Sequence, residues 1–480
     1  MQRMPFLLSL LFVCLSIESG FAQEAKTINI SNAFTSTIAG TPRVVQDPSK
    51  DYWIVVWHQG TAIKARIVKE DGSMTPPKNL ATGASSTEQN FDLALNTQNG
   101  SSYLLAFENS AGLQVRSVSS LQPGVTRLIE SGANGSIPRL VFASGRYFLF
   151  WLGTQDGTRS ALRVRTLNED GTPSGTTQTL ASMPSGQTFG SLNVGLKPNG
   201  SMTAILLQQS SSGGSVVKVN ISTSGTRQGS VTPFQTSKAG LNTFGDIDFS
   251  SQGIGFGLWI DQDSVKTRRV NATGAFGGGA KSISGDALVD VPTQAGISYD
   301  PHEMRFHGVW TSGDVVLLSH LDATNGTSDE DPDLFATSTL AWARNPNIST
   351  NSEGKTLVVW EDSEVKPGVA GSQKFRIRGG IESSEEGGEG GPTTVNIMIG
   401  DNFYSPKSIT VTEGSTVTWT NKGLNPHTVT AGTPGEPEGP ILFDQDGIVN
   451  GLSFSFTFTQ KGKYPYWCEN HNETGMVTVK

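Results

Sequence analysis

Seven times before residue 380, an apolar triplet ending in a large side chain is followed by a short turn and an alternating segment. The triplets are VVW at Trp57, LAF at Phe107, LFW at Trp151, ILL at Leu207, GLW at Trp259, GVW at Trp310 and VVW at Trp360, spaced 50, 44, 56, 52, 51 and 50 residues apart. The segments that follow are KARIVKEDG, LQVRSVSS, LRVRTLNEDG, VVKVNISTSG, KTRRVNATG, LLSHLDATNG and KFRIRGG; most carry arginine and end in a glycine turn. A unit this small cannot bury its own apolar face, so units must stack, and the period restricts the fold more than any single motif does. Short alternating runs between Asp-Gly-type turns make each unit a set of strands rather than helices. The 56 glycines and the low charged fraction of 16% agree with a turn-rich all-β chain.

Seven units of four short strands predict a seven-bladed β-propeller over residues 26–381, with the tryptophans as core between blades. Units one to five have a further strand after the arginine segment, such as KNLATG or TRLIES, whereas the seventh stops at Ile381. The segment KTINIS, Lys26 to Ser31, is expected to supply the missing strand and close the ring. The propeller offers little chemistry. His302, His307 and His320 crowd into unit six and His58 stands alone in unit one, a distribution that fits structural roles better than an axial site. The acidic loop DATNGTSDEDPDLF departs from EF-hand spacing and reads as a solvated loop. There is no basic patch for nucleic acid and no internal apolar run long enough for a transmembrane segment.

Residues 1–22 read as a secretory signal peptide: Arg3 opens it, Phe6 to Ile17 is apolar, and Gly20 and Ala22 are small residues at the expected cleavage site. An exported protein, periplasmic or at the cell surface, is therefore expected. Cys14 follows Val13, a poor context for lipid attachment, so the mature chain keeps one cysteine, Cys468. A lone thiol in an oxidising compartment needs a reason. Residues 382–393, ESSEEGGEGGPT, form an acidic, glycine-rich linker. With that linker, the C-terminal part carries nearly all of the net charge of −8, a surplus suited to steering a basic partner.

Beyond the linker, residues 394–480 alternate as a small β-sandwich would. NPHTV places His427 beside a strand, and CENHNETGM places Cys468, His471 and Met476 in one loop. A thiolate with two imidazoles makes a trigonal copper site, and a thioether adds a weak axial bond. Methionine is an unusual zinc ligand, which argues against zinc. NFYSPKSITVTEGSTVTWTN, NPHTV and YPYWCENHNETGMVTV, with Cys-x2-His-x4-Met, resemble the cupredoxins of the plastocyanin/pseudoazurin type, over less than a fifth of the chain. The resemblance implies a Greek-key sandwich, one type 1 (blue) copper alternating between Cu(I) and Cu(II), one-electron transfer with a redox protein such as a cytochrome, and a surface-edged His471 within an apolar patch to which Leu424 and Pro426 would contribute.

A propeller followed by such a domain also resembles the layout of nitrous oxide reductase. That enzyme's binuclear centre needs two cysteines and its propeller cluster seven histidines, and this chain has neither. The expectation is an electron-transfer protein rather than an enzyme, with the propeller as a docking or ligand-binding platform. One alternative makes the propeller the catalytic domain of an oxidoreductase passing electrons to the copper. Another makes the copper domain a storage or structural module.

Overall fold

The computed structural model describes residues 26–382 and 394–479, apart from short connecting segments of which 237–244, 285–293, 365–372 and 435–441 are the longest. The expected export signal and residues 383–393 of the expected linker lie outside the described residues.

Each repeat forms one antiparallel sheet. The first is built from Arg43–Gln46, Tyr52–Gln59, Ala62–Lys69 and Lys78–Ala81, and five more follow with the same up-and-down order. Unit six also has its fourth strand, Asp333–Thr337, which the sequence reading did not mark. The seventh sheet has Trp342–Thr350, Thr356–Ser363 and Gln373–Glu382, and the chain's first strand, Lys26–Asn29, completes it: Lys26 lies opposite Ile381 and Asn29 opposite Arg378. Phe34–Ser36 extends that edge against Phe375. The last strand runs one residue past the expected boundary, because Glu382 pairs with Thr356.

The sheets close a ring. Seven hydrophobic clusters are each shared by two consecutive sheets, and one of them joins Leu357, Val359 and Ile377 of the seventh sheet to Val44, Trp53 and Trp57 of the first. The first strands of neighbouring sheets touch all the way round, the seventh touching the first. The residue ending each triplet, from Trp57 to Trp360, is buried. Burying a large aromatic of this kind contributes on the order of 4 kcal/mol as an upper estimate.

Two sets of polar ties reinforce the stacking. Near the ring's centre, a side chain of one first strand accepts a backbone N–H from the next: Asp92 from Leu140 (2.8 Å), Asp248 from Tyr299 (2.7 Å), Ser298 from Thr350 (3.0 Å) and Asn347 from Val44 (2.8 Å). Further out, the arginine of the repeated segment donates to a carbonyl at the outer edge of the preceding sheet: Arg116 to Leu80, Arg268 to Phe234 and Arg378 to Thr337; in unit four, whose segment lacks arginine, Arg227 of the fourth strand reaches Leu180 instead. Arg66 donates in the same way to Ile30 at 2.7 Å, so the N-terminal segment takes the role of the seventh sheet's outer strand in this tie as well.

The propeller histidines are structural in kind. His58 is buried, with Nε2 2.8 Å from Asn90 of the next sheet. His307 is bonded to Thr356 (3.0 Å) and accepts from Arg305 (3.2 Å), while His320 lies 3.5 Å from Glu382 and 3.6 Å from Asp333. His302 is exposed. In the acidic loop, the Asp322 carboxylate accepts N–H bonds from Thr324 and Asn325, which ties up one of the acidic groups in a turn.

The C-terminal domain packs two sheets face to face. One contains Phe403–Ser405, Thr394–Gly400, Thr416–Asn421 and Ser453–Thr457; the other contains Ser408–Val411, Thr474–Val479, Gly462–Trp467, His427–Ala431 and Asp444–Ile448. Trp419 lies in the core among the rings of Phe443, Phe454, Phe458 and Tyr466. Among the described residues, no helix is long and apolar enough to cross a membrane.

Candidate metal centre

His427 opens the strand His427–Ala431 at the end of the sandwich. The turn before it is held from several sides. Asn421 donates to the carbonyls of Asn425 (2.7 Å) and Ile448 (2.6 Å), and Asp401 accepts from the N–H groups of Leu424 (2.6 Å) and Asn425 (2.9 Å). These bonds, the Asn425 N–H first, hold the Asp401 carboxyl below its usual pKa.

The second loop runs from Cys468 to the final strand. The Cys468 N–H donates to the Glu473 carbonyl and the Asn472 N–H to the Cys468 carbonyl, both at 2.9 Å. Asn472 adopts φ 63°, a left-handed conformation that asparagine tolerates better than most residues. The resulting tight loop is pinned to the His427 strand, with Glu469 N–H donating to the Thr428 hydroxyl at 2.8 Å and Asn470 donating to the Pro426 carbonyl at 3.2 Å.

These two loops bring three of the expected residues together. Cys468 Sγ lies 3.7 Å from His427 Nδ1 and 3.6 Å from His471 Nδ1. A sulfur and a nitrogen bound to one ion at about 2.3 and 2.0 Å, with an angle near 120°, stand about 3.7 Å apart. The residues therefore fit a mononuclear soft-metal site. Met476, half-buried, follows on the strand Thr474–Val479 opposite Pro465.

Burial pushes the Cys468 thiol above its ordinary pKa, against the Thr428 N–H that donates to Sγ at 3.3 Å. A metal would displace the thiol proton, and that N–H would then stabilise the thiolate. Tyr404 donates to the Thr428 carbonyl at 2.6 Å, and burial first, then the neighbouring Cys468, raises its pKa.

One member of the cluster was not anticipated. Glu473, within the polar NET stretch, turns inward: its side chain is only 4% exposed, and Oε1 lies 2.6 Å from His427 Nδ1 and 3.8 Å from His471 Nδ1. The donor atoms of His427, Cys468, His471 and Glu473 all fall within 4.8 Å of one another. The sequence carried one sign of this, an asparagine in the loop able to reverse the chain before the glutamate.

A small sandwich that gathers two imidazole nitrogens and a thiol at one end defines a copper-binding module of the cupredoxin class. Residues 393–480 match the family described as copper binding proteins, plastocyanin/azurin family. Through this domain the chain belongs to that family. It is 35% identical over 84 residues to the plastocyanin of Scenedesmus fuscus, covering 16% of this chain and 86% of that protein. With the chloroplastic plastocyanin of Tetradesmus obliquus it shares 33% identity over 78 residues, 15% of this chain and 54% of the relative, so it spans little more than half the length of some curated relatives it matches. Among solved structures, the novel purple cupredoxin from Nitrosopumilus maritimus is 31% identical, covering 18% of this chain and 98% of that one with a TM-score of 0.16.

Proposed function

We propose that this is an exported type 1 copper protein that carries single electrons, with His427, Cys468, His471 and Met476 as its copper ligands. The convergence of two Nδ1 atoms on one thiol carries the reading. Copper bound there would supply a one-electron couple between Cu(I) and Cu(II), which a mixed soft and borderline donor set accommodates. The protein's part is to hold the donors still. The bonds among Thr428, Glu469, Asn470 and Pro426 fix the two loops against each other, and the Thr428 N–H steadies the sulfur.

Electrons enter and leave at His471, whose side chain is 25% exposed. Leu424 is 88% exposed, and its turn is tied to the loop bearing the exposed Val449 and Leu452 by a bond from Asn450 to the Gly423 carbonyl. A small apolar surface suits brief encounters with a redox protein such as a cytochrome. Residues 26–381 form the platform domain, 382–393 the tether and 394–480 the copper domain. The platform docks a partner or ligand: the polar groups lining its small axial pocket include Asn193, Asp246 and Asn347, and each is engaged in holding neighbouring strands. That engagement favours the platform reading over a catalytic propeller.

The full chain loaded with copper should bind one equivalent, colour when oxidised and bleach when reduced. Uptake of zinc in preference to copper, or no thiolate-to-copper absorption, would sink the proposal.

A further inference from the structure

We infer that Glu473 is itself a ligand of the copper, a carboxylate added to the two imidazoles and the thiolate. The inference rests on the copper reading above and deepens it.

The geometry makes the carboxylate hard to explain otherwise. Among the described residues its charge partners are the two histidines of the site, with the Cys468 thiol beside it, and Oε2 is buried with no hydrogen-bond partner. A buried carboxylate in a protein is paired, protonated or bound to a metal. Without metal, the 2.6 Å contact between Oε1 and His427 Nδ1 supplies the pairing. With metal, that contact cannot persist as a hydrogen bond, because Nδ1 is the atom facing Cys468 Sγ and must present a lone pair to the ion. The ring then carries its proton on Nε2, on the side of Asp401, whose Oδ1 is 3.7 Å away. Two acceptor atoms would face each other at 2.6 Å with no hydrogen between them. A shared cation removes the repulsion. Two light atoms bound to one ion at about 2.0 Å stand roughly 2.8–3.8 Å apart over the angles protein sites adopt, close to the 2.6 and 3.8 Å that separate Oε1 from the two nitrogens.

The loop is built to aim this group. Asn472, in its left-handed conformation, reverses the chain between His471 and Glu473, and the Glu473 carbonyl is fixed by Cys468 N–H. An anionic oxygen is a hard donor that favours Cu(II), opposing the preference of thiolate and thioether for Cu(I). Met476 is then left with the weakest interaction at the ion.

The test uses the full chain loaded with Cu(II) alone. X-ray absorption should show one short sulfur and three light atoms around the copper. The electron-spin resonance lines should not broaden in oxygen-isotope-enriched water, since the third light atom is not solvent. Glu473→Ala should lose ~10–100-fold in Cu(II) affinity, with Cu(I) affinity nearly unchanged, so its reduction potential rises and its visible bands shift. Met476→Ala should change both properties less. The melting temperature of metal-free Glu473→Ala reports that the variant folds. Two light atoms in the wild type, with an unchanged Cu(II)-to-Cu(I) preference in Glu473→Ala, would overturn the inference and leave the copper reading standing. If wild type takes up no copper, or Cys468→Ser keeps its visible band, the copper reading itself fails and the ligand assignment falls with it.

Discussion

The histidines of the propeller and those of the sandwich are buried to similar degrees in two cases, His307 and His427, yet they do opposite things. Both ring nitrogens of His307 meet protein groups, Thr356 on one side and Arg305 on the other, and burial, then His320 and Arg305, pushes its pKa well down. His427 turns Nδ1 toward a thiol, a carboxylate and a second imidazole. Burial alone therefore does not mark a site. Donor atoms converging on one point do, because such convergence is unfavourable until a cation neutralises it. The same contrast holds for carboxylates. Asp248 in the ring is engaged by two backbone N–H groups, whereas Glu473 faces the histidines and thiol of the site.

The largest test of this contrast is Cys468→Ser. Visible absorption should vanish and copper affinity should collapse, while the propeller's melting transition stays where it was. A propeller transition that moves with the copper ligand would mean that the two regions are not independent.

Deleting residues 26–31 probes the converse. It removes the strand completing the seventh sheet, the buried Ile30 and the acceptor of Arg66. We expect a loss of ~3–5 kcal/mol and a fall in the propeller's melting temperature of ~5–10 °C, with the copper spectrum unchanged. An unmoved transition would show that the strand does not close the ring.

Asp248 gives a pH signature. Burial raises its carboxyl to about 6 in spite of the N–H bonds from Tyr299 and Phe249. Because the folded value lies above the unfolded one, the stabilisation is whole below about pH 4 and is lost as pH rises through about 6, an effect on the order of 3 kcal/mol. Denaturant titrations should find the stability of Asp248→Asn relative to wild type rising by roughly 3 kcal/mol between pH 4 and pH 7.5, on top of a pH-independent loss of one N–H bond. A pH-independent difference would mean that the carboxylate is not strained by its burial.

The smallest effect expected is at the surface. Leu424→Glu should slow electron exchange with a basic cytochrome by on the order of fivefold in stopped flow, without altering the visible spectrum. Added salt should slow the wild-type reaction by screening the domain's acidic surplus. Equal rates for both proteins would put the entry face elsewhere.

The parts of the molecule legible in the sequence are those where one residue type at one interval has one physical use. Trp57 and its counterparts recur because each fills the gap between two sheets, and Cys-x2-His-x4-Met spaces donors around a tight loop. The arginine of most units was visible as a pattern, but its purpose was not, since the carbonyl it reaches lies in the preceding unit, 36 residues upstream in the case of Arg116 and Leu80. The fourth strand of unit six was missed because Asp333–Thr337 follows an acidic, turn-rich stretch that masks its short apolar core. Glu473 escaped for a different reason. Polar composition suggested an outward loop, and only the backbone reversal at Asn472 turns the side chain inward.

The strand that leads to the copper domain, Gln373–Glu382, is not at the edge of its sheet. It is flanked by Thr356–Ser363 on one side and Lys26–Asn29 on the other. Its last residue is further held at 3.5 Å from both His307 and His320. A pull on Glu382 would therefore meet two rows of hydrogen bonds and a half-buried carboxylate, whereas an edge strand would peel away one bond at a time. The strand that ends the propeller is thus built into the ring from both sides.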